Sequence, residues 1–196
     1  MYKKIAIVAV IVLTTMSFVT IEKTIYKAVV SESTAEWTGY KATGQHNGII
    51  GIKNGSIIIV DDKIVGGEFT IDMSSIAVLD TQNKKLLKHL KSDDFFGIKE
   101  FPTATFVISG SSSEGDKTLL KGGITIKGVT EKIQILVRIS KNEKDQLVLE
   151  SETFKVNRTK FNITYKSKTF FNNLKDKFIK DEFDMKVKVI LSEIEK

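Results

Sequence analysis

Two runs in this chain alternate with a period of two over their whole length. Ile133, Ile135, Val137 and Ile139 alternate with Gln134, Leu136, Arg138 and Ser140, and Phe183, Met185, Val187, Val189 and Leu191 alternate with Asp184, Lys186, Lys188 and Ile190. Successive side chains of a strand point to opposite faces, so each run presents one apolar face that a sheet has to bury. The same reading places further strands at residues 37–43, 49–53, 56–60, 63–73, 103–109, 117–127 and 147–156. Turn formers punctuate them: a loop at 44–48, Asn54-Gly55, Asp61-Asp62, and clusters at 110–116, 128–130 and 141–145. Asn54-Gly55 is the strongest short hairpin signal, because both residues tolerate the positive φ of a type I′ turn.

Helical spacing occurs twice. Leu86, Leu87 and Leu90 recur among lysines and predict a short amphipathic helix over Lys84–Lys91, ended by the breakers Ser92, Asp93 and Asp94. Pro102, the sole proline, has no N–H to donate and suits the start of a strand, which the alternation of Ala104, Phe106 and Ile108 continues. Phe170, Leu174 and Phe178 stand at i, i+4 and i+8 and predict a second helix. Eight to ten strands, hairpin loops and two short helices exclude βαβ units and predict an all-β chain, an antiparallel sandwich or a closed barrel, between which periodicity does not choose.

With 196 residues, 41% of them hydrophobic, the chain is long enough for one sizeable core and therefore one domain. It has no cysteine, which excludes disulfides, thiolate chemistry, Cys-ligated zinc and an acyl-cysteine anchor. The formal charge is +6, yet Arg138 and Arg158 are the only arginines among 30 basic residues. That balance argues against nucleic acid as a partner, since bidentate contacts favour arginine. It fits a solvated lysine surface and leaves open a transient contact with an anionic membrane surface. Residues 1–20 carry Lys3 and Lys4, then an apolar run, and read as an export signal or, if uncleaved, an inner-membrane anchor. Residues 21–36 read as a linker and residues 37–196 as the folded domain, expected in the periplasm.

Motifs for covalent chemistry are missing. The segment Gly110-Ser-Ser-Ser-Glu-Gly115 lacks the spacing of a nucleophile elbow, and no glycine-rich phosphate loop occurs. Asp61-Asp62 and Asp93-Asp94 fall in turns, where aspartate bonds its own backbone. His46 and His89 are the only histidines, and their separation is not that of a metal-ligand motif. The expectation is a protein that is not an enzyme, with no catalytic residue, no metal and no cofactor. A metal-assisted enzyme built on His46 and His89 is the weaker alternative.

Four segments, in this order, carry a family resemblance: GGEFTIDMSSI at 66–76, HLKSDDFF followed by FPTATF within 89–106, GITIKGVT at 123–130 and NRTKFNI at 157–163. They resemble the YceI-like family and span residues 37–191 with their flanking strands. Many members carry an aspartate two residues before the His-Leu pair, where this chain has Leu87. The resemblance implies an extended, lipocalin-like antiparallel β-barrel whose apolar interior holds an isoprenoid chain. By residue type His89 is expected to bond at the end of the first helix and His46 to hold a loop, while their match to family histidines keeps a site role open. Arg158, in the NRTKF match, is expected to pair with an acid such as Asp94. All but one of the 12 phenylalanines lie beyond the leader, and a barrel of this strand number either fills its interior or holds one ligand.

The expected function is therefore an exported lipid carrier or scavenger that binds a polyisoprenoid or other long-chain lipid. Its expected ligand-binding inner face comprises Phe69, Ile71, Phe106, Ile108 and Ile126, together with Ile135, Val137, Phe154, Met185 and Val187. The second helix, with Phe170, Phe171, Leu174 and Phe178, is the candidate lid. A structural or interaction module with a filled core is the alternative, and a homodimer stays open.

Overall fold

The structure is a computed structural model that describes residues 22–82 and 84–194. Its strands are β1 (Lys23–Ala28), β2 (Thr34–Lys41), β3 (Gly44–Val60), β4 (Lys63–Val78), β5 (Thr103–Glu114), β6 (Lys117–Ile126), β7 (Val129–Lys141), β8 (Leu147–Ser151), β9 (Phe154–Asn157) and β10 (Glu182–Glu193). One α-helix, α1 (Lys84–Lys91), lies between β4 and β5, on the residues that the leucine spacing predicts.

Every strand pairing is antiparallel, and the sheet closes because β10 pairs with both β8 and β2. Two of the staves are broken strands. β1 and β2 pair in succession with β3 and with β10, on either side of a 3₁₀ turn at Val30–Glu32, and β8 and β9 do the same along β10. The barrel thus has eight staves.

The tight turns form where residues reach positive φ at low cost. Asp61 and Asp62 (φ 48° and 60°) join β3 to β4, and Lys127 and Gly128 (φ 52° and 76°) join β6 to β7. Asn54-Gly55 is not a turn. The residues predicted as two strands of a hairpin are one continuous β3, with a register shift between Ile52 and Asn54. Gly55 lies beneath the ring of its cross-strand partner Phe69, where an added Cβ would come within 2.1 Å of the ring. The glycine makes room for an aromatic ring instead of bending the chain. The loop expected at 44–48 is likewise inside β3, and the turn from β2 falls at Ala42-Thr43.

The N-terminal stretch corrects a second expectation: residues read as a linker supply β1 and the start of β2. Tyr26 and Ala28 turn inward and pack against the core, which an aperiodic six-residue strand does not announce. The expected export signal or anchor at 1–20 lies outside the described residues.

The third correction concerns the second helix. Residues 164–181 form a turn-rich loop with one 3₁₀ turn at Lys175–Lys177. Lys166, Asn173 and Lys175 have φ of 51°, 67° and 46°, and left-handed residues at these points interrupt any right-handed helix. The spacing of Phe170, Leu174 and Phe178 is coincidental.

Inside the barrel the apolar residues form two clusters. Ile57, Ile64, Ile108 and Leu191 pack one end solid, all within 3% of complete burial. The other end is ringed by Ala35, Trp37, Ile50, Met73, Ala104 and Ile126 and closed from outside by Leu90 and Phe95.

Candidate functional site

The loosely filled end encloses a cavity of about 190 Å³. Alternation along β10 turns Phe183, Met185 and Val187 inward while Asp184, Lys186 and Lys188 face out, and the inward three are only partly buried because they border empty space. Phe69 and Phe106 face each other across β4 and β5 and divide the solid end from the hollow one.

Nine of the ten inner-face residues named from sequence line this cavity: Phe69, Ile71, Phe106, Ile126, Ile135, Val137, Phe154, Met185 and Val187. Ile108 does not. It has the right strand parity but sits one residue pair deeper, in the solid cluster, at 3% exposure. None of Phe170, Phe171, Leu174 and Phe178 touches the cavity. Phe170 and Phe171 point to solvent, and the residues of that segment that do reach the cavity are Ile179 and Lys180, near its junction with β10.

The closure is made by two caps, one of them the segment between β9 and β10 in which the candidate lid was expected. The first is the turn after α1, which brings Leu90, Phe95 and Phe96 over the barrel end. It is folded tightly by Phe96 N–H donating to Leu90 O (3.1 Å) and Gly97 N–H to Ser92 O (2.9 Å), with Gly97 at φ 54°. The family-like DFF motif was the signal for it. The second cap is the chain from β9 to β10, anchored by Arg158.

Arg158 is 3% exposed. Its guanidinium donates to three carbonyls of its own cap, Ile163 O at 2.6 Å, Ile179 O at 3.0 Å and Lys180 O at 3.1 Å, and to Asp181 at 3.4 Å. The expected partner Asp94 is not used; Asp94 lies 3.4 Å from His89 instead. Burial pushes the guanidinium below its usual basicity, and Asp181 opposes that push. The two caps meet through aromatic edges: His89 lies 4.5 Å from Tyr165 and 4.9 Å from Phe95, ring centre to ring centre. His46 is elsewhere, bonded to Asp80 at 2.9 Å and to Lys41 at 3.2 Å, so the two histidines are engaged separately.

Lys180 is the one exposed residue among the described residues that line the cavity. Tyr40, also in the lining, donates its hydroxyl to Asp184 at 2.6 Å, and Lys155 donates to the other oxygen of the same carboxylate at 2.9 Å. The Tyr40 hydroxyl, then Lys155, hold the Asp184 carboxyl below the usual carboxylate range, and the same bond raises the Tyr40 phenol. The Lys180 ammonium lies 4.9 Å from the Tyr40 ring centre. Among the described residues, Trp37 Nε1 is the buried side-chain polar atom without a partner. Its indole packs against Gly48, where a Cβ would lie 2.6 Å from Cζ2. No cluster of three His, Asp or Glu side chains able to hold a metal occurs among the described residues.

A closed eight-stave antiparallel barrel, solid at one end and hollow, apolar and capped at the other, defines the class of lipocalin-like barrels with an interior cavity. The chain belongs to the YceI-like family: the model of the YceI-like domain matches residues 26–191. Curated relatives include a UPF0312 protein of Photorhabdus laumondii, 34% identical over 70 residues, and the YceI protein of Salmonella arizonae, 33% identical over 70 residues. These alignments span 36% of this chain and 36% and 35% of the relatives' own lengths. Among solved structures, Burkholderia cenocepacia BcnA superposes with a TM-score of 0.65 over 84% of this chain and 99% of its own, at 21% identity. A polyisoprenoid-binding domain from Saccharophagus degradans, implicated in plant cell wall breakdown, superposes at 0.62 over 85% and 97%, at 12% identity. At these identities the likeness establishes the fold.

Proposed function

We propose that this protein is an exported carrier or scavenger that holds a long apolar lipid, a polyisoprenoid in the first instance, inside its barrel, without covalent chemistry. The observation that carries the reading is the capped apolar cavity, whose single exposed lining residue among the described residues is Lys180. The polyisoprenoid-binding domain of Saccharophagus degradans, with the same fold, supports the ligand class. An apolar cavity of about 150 Å³ stays dry and takes up benzene, so the somewhat larger space here suits a few isoprenoid carbons. A longer chain continues past Lys180 or displaces side chains of the ring. Each buried CH₂ contributes about 0.8 kcal/mol, so sequestration needs no reactive group.

The basic, apolar start of the chain supports export to the periplasm. N-terminal sequencing of the exported form tests this, with the mature chain starting between about Ser17 and Lys27. A chain starting at Met1 in the inner-membrane fraction means a tether instead.

Organic-solvent extraction of the purified protein followed by mass spectrometry tests the ligand. A stoichiometric apolar lipid is the expected result. Absence of lipid, together with no uptake of a polyprenyl alcohol or quinone, overturns the proposal.

A further inference from the structure

The loop between β9 and β10 carries two features that lipid storage does not use. Phe170 and Phe171 are 55% and 48% exposed, and among the described residues they are the only exposed large apolar side chains that are sequence neighbours. The others, such as Val65, Leu79 and Val107, are scattered singly, which is ordinary. Around the pair stand Lys166, Lys168, Lys175, Lys177 and Lys180, against two aspartates, Asp176 and Asp181. Asp181 is already bound to Arg158 and to the Thr169 hydroxyl. None of the five lysines has a carboxylate within ion-pair distance among the described residues; three of them lie over aromatic rings, Lys166 on Tyr165, Lys168 on Phe178 and Lys180 on Tyr40.

The loop is held in place. Both Phe170 and Phe171 donate their N–H to Ser167 O, and Ser167 is fully buried. Ile179 N–H closes the base on Lys166 O, and the following residues are tied to the end of β2 through Ala42 N–H to Phe178 O and Lys180 N–H to Tyr40 O. Tyr40 and Lys180 also line the cavity, and Lys180 is its one exposed lining residue among the described residues. An exposed aromatic pair and a cationic surround therefore sit on the same end of the barrel as the cavity. Apolar side chains that enter the headgroup region, flanked by lysines, are what peripheral proteins present to anionic lipids.

We propose that this loop docks the protein reversibly on an anionic bilayer, with Phe170 and Phe171 entering the headgroup region and the lysines facing lipid phosphates, so that the cavity end of the barrel faces the membrane. The proposal rests on the lipid-holding reading for its purpose but not for its measurement. Exposed charges attract an anionic surface within about 10 Å at 0.1 M salt, so the contact weakens as salt rises.

Co-sedimentation of the chain as purified from cells, with vesicles of phosphatidylcholine alone or with added phosphatidylglycerol, tests it. Binding should require phosphatidylglycerol, fall with salt, and drop about tenfold in the double variant Phe170→Ser, Phe171→Ser and in Lys175→Gln, Lys177→Gln. These side chains are exposed, so the variants should keep the melting temperature of the parent. Solvent extraction of the same preparations separates the two readings: variants that lose vesicles but keep their internal lipid uphold docking through the loop. Equal binding to both vesicle types, or full binding by the phenylalanine variant, overturns it. A dimer that the phenylalanine variant dissociates assigns the pair to a second copy and overturns it as well.

Discussion

The ring of Phe69 packs against Gly55 on the neighbouring strand, at a separation that leaves no room for a Cβ. A glycine also stands beside the Phe106 ring on β6: a Cβ on Gly122 would lie 2.8 Å from that ring and 2.2 Å from the Val107 carbonyl oxygen. Two glycines thus seat the two aromatic rings that divide the solid half of the barrel from its cavity. Gly55→Ala should push Phe69 into the cavity and cost about 1–3 kcal/mol, as overpacking does. Gly66→Ala is the control, because a Cβ there meets nothing closer than 3.8 Å. Urea unfolding of the pair decides, and equal midpoints for the two variants would contradict the packing account.

Depth along the barrel should separate two substitutions of similar kind. Val187 borders empty space, whereas Ile108 is enclosed in the solid cluster. Val187→Phe should leave the melting temperature near that of the parent and remove bound lipid, read by solvent extraction. Ile108→Phe should overpack the solid end at a cost of about 1–3 kcal/mol while lipid content stays unchanged.

Arg158 joins three carbonyls and a carboxylate of one cap through a single buried group. Arg158→Met leaves those acceptors and Asp181 without their donor, and breaking such a buried pair costs about 3–5 kcal/mol. Arg158→Lys should not rescue it, because an ammonium cannot reproduce the planar fork. Hydrogen exchange should rise first in residues 163–181, before the barrel strands. Uniform exchange throughout the molecule would refute a local anchor.

Asp184 gives the acid side of the stability curve a defined sign. Its folded pKa is depressed by the Tyr40 hydroxyl and then by Lys155. A depressed carboxylate contributes stability that is present above its unfolded pKa and is lost as pH falls through the folded value. Stability measured by denaturant titration should therefore drop on acidification below the ordinary aspartate range, and less steeply in Asp184→Asn. Identical pH profiles for parent and variant would remove Asp184 from the account.

Strand parity was legible in the sequence because side chains alternate across a pleated sheet whatever the sheet packs against. It identified the inward faces of β7 and β10 and put nine of the ten named residues on the cavity wall. The leucine spacing of α1 and the turn at Asp61-Asp62 were local in the same sense, whereas the turn expected at 128–130 falls at Lys127-Gly128. The tertiary structure decided what depends on partners distant in sequence. Gly55 reads as a turn until Phe69 is placed over it, and β1 becomes a stave only because β3 and β10 leave a row of hydrogen-bonding groups for it to fill. Residues 164–181 have helical spacing, but their end is held to β2 and to Arg158, and left-handed residues keep them a loop. Depth followed the same rule: parity says which way Ile108 and Phe106 point, and only the closed barrel, by setting which rings lie across its middle, made one of them core and the other cavity wall.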